Sequence, residues 1–246
     1  MKDYDELHKL WARAHTFGSP TKFVRNVVVF SELNKLMPGI TLDAGCGTGE
    51  YSAFLAKRGH KVTAFDPSPF AVRTLLEKRG TELGIDARIN TIEGFHNYRK
   101  FDNIVSIEVI EHIEFDQGAI RKLYSLLDKN GTLVMSAPAL PFLFGEADRV
   151  SGHFRRYSYC GFKRILLRAG FKEVLIKSYG FPLLFIYTLL RKLFFERAVI
   201  RYFSNVKSGT RVKSVSLSKL YPFVLAIDQL SVIPLLGIGY VAICKK

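Results

Sequence analysis

Apolar positions along the chain recur in two rhythms. Short runs at residues 40–43, 61–66, 87–92, 101–107, 132–138, 171–179 and 237–244 read as strands, and the run at 101–107 is mostly apolar, as in a strand covered on both faces. Between them, over residues 22–37, 51–58, 67–83, 115–127 and 162–169, apolar side chains return at helical spacing. Pro38-Gly39, Gly59 and Gly170 stop elements, and residues 128–131 read as a turn before the fifth strand. Strand alternating with helix predicts an α/β sheet. The rhythm breaks at both ends. Leu7, Leu10, Trp11 and Ala14 suggest an N-terminal helix before Gly18-Ser-Pro20, so residues 1–37 read as a helical lid. Trp11 and Phe17 would close over a ligand or simply pack. Residues 181–190 are almost continuously apolar and end in Arg191-Lys192. They open a helical insertion, 181–236, with a basic, serine-rich loop at 197–218 and a helix over 219–230.

The chemistry concentrates where the first strand ends. Asp43 is followed by Gly45, Gly47 and Gly49, with Cys46 inside the turn, and a helical pattern starts at once. Strand, glycine turn and helix form a nucleotide crevice in an open sheet. Glycine is needed where the backbone turns tightly and lies against a ligand. A dinucleotide fingerprint spaces its glycines differently and sets a pyrophosphate on the helix N-terminus. Here Glu50 holds that position, and its carboxylate would repel a phosphate. Asp66 ends the second strand 21 residues after Gly45, the distance at which an acidic residue meets ribose hydroxyls in such folds.

These residues resemble the first motifs of the class I methyltransferases that use S-adenosylmethionine. The string Glu108-Val-Ile-Glu111-His112-Ile113 after the fourth strand strengthens the likeness, because small-molecule O-methyltransferases of the ubiquinone-pathway type carry a similar one. The resemblance covers residues 37–180 well and the tail loosely. It implies a Rossmann-like seven-stranded mixed sheet flanked by helices, with the last strand antiparallel beside the sixth. On that reading the chain is one domain: lid 1–37, cofactor-binding core 38–180, insertion 181–236 and final strand 237–246. S-adenosylmethionine would be held by Asp43, Gly45, Cys46, Gly47, Gly49, Asp66, Ile107 and Glu108, with Phe95 stacking on the base. Glu111 and His112 would sit near the reaction, although a packing histidine at a helix start reads the same way.

Residues 141–158 are too polar and irregular for a core element and fall where this class builds its acceptor site. Long loops of this kind are usually functional or mobile. Gly152-His153-Phe-Arg155-Arg156-Tyr157 is similar to a string in bacterial methyltransferases of glycan and lipid-linked saccharide pathways. Methyl transfer from a sulfonium needs alignment above all. A hydroxyl acceptor also needs its proton removed, and His153 has the intrinsic pKa of a general base. Arg155, Arg156 and Tyr157 would bind the acceptor, the arginines through a phosphate or carboxylate. Loop-fixing hydrogen bonds and ion pairs to Glu146 or Asp148 are the alternatives.

Charge changes the picture next. The net charge is +14, with 48% hydrophobic and 24% charged residues. Basic chains favour nucleic acid or anionic membranes. After residue 150 the only acids are Glu173, Glu196 and Asp228, in the half that also holds the longest apolar runs. That favours a membrane surface. The apolar stretch is too short to span, which needs about 20 residues, and suits an interfacial helix, a core element or a second copy of the chain. Nucleic acid is not expected, since the Asn/Asp-Pro-Pro-aromatic string of amine methylases is absent. Cys46, Cys160 and Cys244 lie far apart without metal-ligand spacing, so no metal is expected. Their scarcity and the charged first ten residues predict a cytoplasmic protein, peripheral to the membrane at most.

The expected activity is transfer of a methyl group from S-adenosylmethionine to a hydroxyl or carboxylate of an amphiphilic or saccharide-bearing metabolite, free or lipid-linked. An RNA or DNA methylase and a non-catalytic cofactor-binding module at the membrane are the rival readings. A nicotinamide oxidoreductase is disfavoured by Glu50.

Overall fold

The computed structural model describes residues 4–6, 8–9, 20–194, 228 and 236–246. Its strands are β1 (Ile40–Ala44), β2 (Lys61–Asp66), β3 (Asp86–Ile89), β4 (Phe101–Ile107), β5 (Leu127–Pro138), β6 (Glu173–Tyr179) and β7 (Gly239–Lys245). They form one sheet in the order β3-β2-β1-β4-β5-β7-β6. Strand β7 runs antiparallel to both neighbours, and the remaining pairs are parallel. The winding direction reverses between β1 and β4. An open sheet leaves its ligand crevice at such a point, beyond the carboxyl ends of the strands.

The helices are α1 (Pro20–Leu33), α2 (Glu50–Ala56), α3 (Pro69–Leu75), α4 (Asp116–Leu126), α5 (Glu146–Val150), α6 (Tyr159–Ala169) and α7 (Leu183–Phe194). Central strands carry apolar side chains on both faces, so Leu42, Ala44, Ile104, Val105, Leu133 and Val134 are fully buried. Local signals set the helix ends. Ser68 caps α3 by accepting from the Ala71 N–H, with Pro69 at the first helical position. Ser158 caps α6 through the Gly161 N–H, and Gly170 ends α6 at φ 116°.

Several boundaries differ from the sequence expectation. Helix α3 stops at Leu75 and continues as a π turn, Leu76–Gly80, and one further turn, Thr81–Leu83. Gly80 weakens the helix there, and the Thr81 hydroxyl donates to the Leu76 carbonyl at 2.9 Å. The expected turn at 128–131 lies inside β5, whose register on β4 slips between Phe101 and Asn103, as at a bulge. Helix α1 ends four residues short of Met37. Residues 141–158 hold a 3-10 turn, Pro141–Leu143, and α5, and they bury Leu143, Asp148 and Tyr157. This segment is a packed cover rather than an irregular loop. The expectations for Leu7, Leu10, Trp11, Ala14, Phe17, the loop at 197–218 and the helix over 219–230 lie outside the described residues. Asp228 alone of that helix is described, and its carboxylate accepts from the Leu183 N–H at the start of α7.

Candidate active site

The glycine turn is pinned before any ligand arrives. The N–H groups of Gly45 and Cys46 both donate to the Phe65 carbonyl, at 2.8 and 2.9 Å. Gly45, Gly47 and Gly49 all sit at positive φ, 81°, 50° and 81°. A Cβ on Gly45 would come within 2.4 Å of a Val109 methyl. Gly47 and Cys46 face a cavity of about 1160 Å³. Asp43 and Gly49 stand behind its wall. Asp43 is buried and accepts from the Ser52 hydroxyl at 2.5 Å, tying β1 to α2. Burial pushes its carboxyl up to about 7, with the Ser52 hydrogen bond opposing and the Asp66 charge adding.

Asp66 lines the cavity at the end of β2. It accepts from the N–H groups of Gly47 and Ser68, both at 2.9 Å, and lies 3.3 Å from His8 Nε2. Tyr4 and His8 also line the cavity, so the described part of the N-terminal segment closes over the turn. Asp5 fastens it by accepting from the Ser68 hydroxyl and the Phe70 N–H. Phe95 departs from expectation. It is 1% exposed, stacked on Phe65 at 4.7 Å and packed near Phe101. Its ring belongs to the core, and Ile92 and Glu93 line the cavity instead.

Beyond the turn the wall continues with Ile107, Glu108 and His112. Glu108 adopts φ 55°, unusual for a residue with a side chain. Its carboxylate accepts from the Ser136 hydroxyl at 2.8 Å and meets Arg25 Nη1 at 3.3 Å. Arg25 comes from α1, and its buried Nε has no partner. Sequence reasoning missed it. The available signal was a cation inside the apolar run Phe23 to Phe30.

The far end is built by the cover after β5. His153 Nδ1 lies 3.0 Å from Asp148 Oδ1, and Arg156 Nε donates to the same oxygen at 2.8 Å. Burial raises the Asp148 carboxyl, but the His153 and Arg156 hydrogen bonds outweigh it and hold it below the usual range. For Arg156 this is the ion pair that the sequence offered as the alternative, made with Asp148 rather than Glu146. Arg156 lines the cavity while its Nη1 donates to the Ala139 carbonyl. Arg155 and Tyr157 do not line it. Arg155 pairs with Asp116 at 2.8 Å and donates to the Glu114 carbonyl. Tyr157 is buried and donates to Asp116 at 2.9 Å. Both fix the cover to α4 rather than facing an acceptor. Glu111 is fully buried behind the wall. Burial, then the Glu108 charge, holds its carboxyl well above the usual range. His112 and His153 line the cavity, their rings edge to face at 4.8 Å. Tyr179, Thr188 and Arg191 complete this end.

The sheet order, the crevice and the pinned glycine turn define a nucleotide-type α/β protein with an acidic ligand end and a histidine-lined far end. The profile of the methyltransferase-domain family matches residues 13–176, more than half of the chain. The chain belongs to that family. It is 29% identical over 143 residues to a mitochondrial ubiquinone biosynthesis O-methyltransferase of Schizosaccharomyces pombe, covering 54% of this chain and 52% of the relative. It is 33% identical over 97 residues to malonyl-[acyl-carrier protein] O-methyltransferase 1 of Ilyobacter polytropus, covering 39% and 36%. The chain thus spans about half or less of the length of the curated relatives it matches. Among solved structures it is similar to Haemonchus contortus phosphoethanolamine N-methyltransferase 2 in complex with S-adenosyl-L-methionine, with TM-score 0.59, 17% identity and coverage of 90% of this chain and 52% of that one. That likeness concerns the fold.

Proposed function

We propose that the protein transfers a methyl group from S-adenosylmethionine to an oxygen of an acceptor held between His153 and Arg156. The observation that carries this reading is one continuous cavity joining the glycine turn and Asp66 to Glu108, His112 and His153. The residues fit the cofactor. The turn offers glycine backbone where a Cβ on Gly45 would clash, Asp66 suits ribose hydroxyls, and the carboxylates of Asp66 and Glu108 suit a cationic sulfonium better than a pyrophosphate. Glu50 also lines the cavity, paired to Lys22 at 2.8 Å. The cofactor supplies an activated methyl group. The chain's residues align the acceptor oxygen and accept its proton. Asp148 holds His153 by Nδ1, which leaves Nε2 as the basic lone pair.

The acceptor reading is a hydroxyl or carboxylate on an anionic, amphiphilic or saccharide-bearing metabolite. Arg156 and Arg191 at the far end support the anionic part. Helix α7 supports the amphiphilic part: Leu184 and Thr188 are buried, while Ile186, Tyr187, Leu190, Leu193 and Phe194 are exposed beside Arg191 and Lys192. A half-buried apolar helix with basic flanks suits an anionic membrane surface. Among the described residues no helix is long and apolar enough to cross a membrane.

The test supplies methyl-labelled S-adenosylmethionine and purified protein to a cell extract, then partitions the label. Label in organic-soluble or anionic small molecules supports the reading. Label confined to nucleic acid overturns it, and cofactor binding with no transfer leaves a binding module.

A further inference from the structure

Tyr179 is the last residue of β6, the edge strand of the sheet, yet it lines the cavity. It is 5% exposed, and among the described residues its hydroxyl makes no hydrogen bond. We propose that this hydroxyl is an acceptor-binding group, which donates a hydrogen bond to the oxygen that receives the methyl group. The inference rests on the O-methyl transfer proposed above.

The first argument is the missing partner. Buried hydroxyls are ordinarily hydrogen-bonded. Two other tyrosines buried nearby follow that rule. Tyr51 donates to the Asn26 side chain at 2.7 Å, and Tyr157 donates to Asp116 at 2.9 Å. Tyr179 differs from both. A ligand in the cavity that it lines would supply the partner.

The second argument is placement. Tyr179 pairs with Gly239 of β7 across the antiparallel ladder. Directly opposed residues of a ladder share a face. Gly239 has no side chain, so the tyrosine ring lies across β7 where a Cβ would stand. A Cβ added there would overlap the ring's ζ carbon and the hydroxyl. On its other side Gly239 pairs with Pro138, the end of β5, and Pro138 also lines the cavity. The hydroxyl is thus carried from the edge of the sheet toward its centre. Packing, rather than a bond of its own, holds it there, as a preorganised contact requires.

The third argument is the charge around it. Glu108, Arg25 and Glu111 all act on this hydroxyl. Glu108 and Arg25 belong to the cofactor wall, and Glu111 Oε1 lies 4.0 Å from His153 Nε2. The hydroxyl therefore stands where the two halves of the cavity meet. Burial first, then the Glu108 charge, holds it well above its ordinary pKa. It stays protonated and serves as a donor, not as the base.

An acceptor hydroxyl has one proton and two lone pairs to place. His153 Nε2 takes the proton. Tyr179 donates to one lone pair, which leaves the other to face the methyl carbon. Two protein contacts then fix the line of attack, and alignment is what such a displacement needs most. The O–CH3 bond forms as the S–CH3 bond breaks, leaving a neutral thioether and the proton on His153 beside Asp148.

The test compares full-length wild type with Tyr179→Phe, using methyl-labelled S-adenosylmethionine and serial dilutions of a cell extract as the acceptor source. Initial labelling rates against dilution give relative kcat and kcat/KM. Tyr179→Phe keeps the ring and should lose about tenfold in kcat/KM, the worth of one hydrogen bond to a partly charged oxygen. Its melting temperature should match the wild type, because no hydrogen bond within the protein is removed. Its calorimetric affinity for S-adenosylhomocysteine should also be unchanged. Equal kcat/KM beside an active wild type overturns the acceptor role and leaves O-methyl transfer standing. A fall in S-adenosylhomocysteine affinity as large as the fall in kcat/KM overturns it too, by assigning the hydroxyl to the cofactor. So does a melting temperature lowered by several degrees, which would make the hydroxyl a structural bond. Wild type that labels no small molecule sinks the O-methyl reading, and the acceptor role falls with it.

Discussion

Asp66 is the residue on which the cofactor reading turns most directly. Its oxygens already serve Gly47 and Ser68, so it shapes the turn as well as facing the cavity. Asp66→Ala should weaken S-adenosylmethionine binding by about 10–100-fold, the worth of hydrogen bonds to a charged group. Calorimetry reads this, and unchanged affinity would remove the ribose role. Asp43 acts instead on stability. Its ordinary value is 3.8 and its folded value about 7. A carboxyl raised by folding stabilises while protonated. Its contribution is complete below 3.8 and lost as pH rises through about 7. Thermal scans from pH 4 to 8 should show a decline in melting temperature that is shallower in Asp43→Asn. Glu111 works in the same direction, so some slope should remain. Tyr157 tests the distinction between building the site and touching the acceptor. Tyr157→Phe removes one donor from partly buried Asp116, which keeps Arg155, and should cost about 0.5–1.5 kcal/mol of stability, while cofactor affinity stays unchanged. A selective loss of acceptor binding would contradict the packing role.

At the scale of elements, the glycine turn separates two kinds of constraint. Gly47 is at φ 50°, and among the described residues an added Cβ would meet only a His8 carbon at 3.5 Å. Gly45 combines φ 81° with a clash at 2.4 Å. Gly47→Ala should therefore cost about 1–2 kcal/mol from backbone strain. Gly45→Ala should cost more, because a packed neighbour must also move. Denaturant melts of the two variants check the order, and equal losses would mean that Val109 yields freely. Elements were legible where a single signal dominates. Strand β4 is an apolar run, α3 starts at Ser68-Pro69 and α6 ends at Gly170. The slipped register in β5 and the π turn after Leu75 depend on how neighbours pair and pack, so no local pattern announced them. The segment 141–158 read as irregular because its helical turns are shorter than one amphipathic repeat.

For the whole molecule, the proposed membrane contact rests on the net positive charge and the exposed face of α7 together. Anionic vesicles should sediment with the protein at low salt and release it as salt screens the attraction. Neutral vesicles should bind it less. Binding that ignores lipid charge would return α7 to a core or subunit contact. Taken by itself, the sequence determined the sheet class, the glycine turn, the strand-end carboxylates and the family likeness. Each is written in contiguous residues whose periodicity or conformational demand is local. The tertiary structure alone decided which polar side chains share a cavity. It drew Arg25 onto Glu108 and Asp148 onto His153, turned Phe95 into the core and moved Arg155 and Tyr157 onto Asp116. It also brought Glu111 to the histidine pair. Those choices depend on distances between segments far apart in the chain, and they are settled by packing the whole sheet and its cover at once.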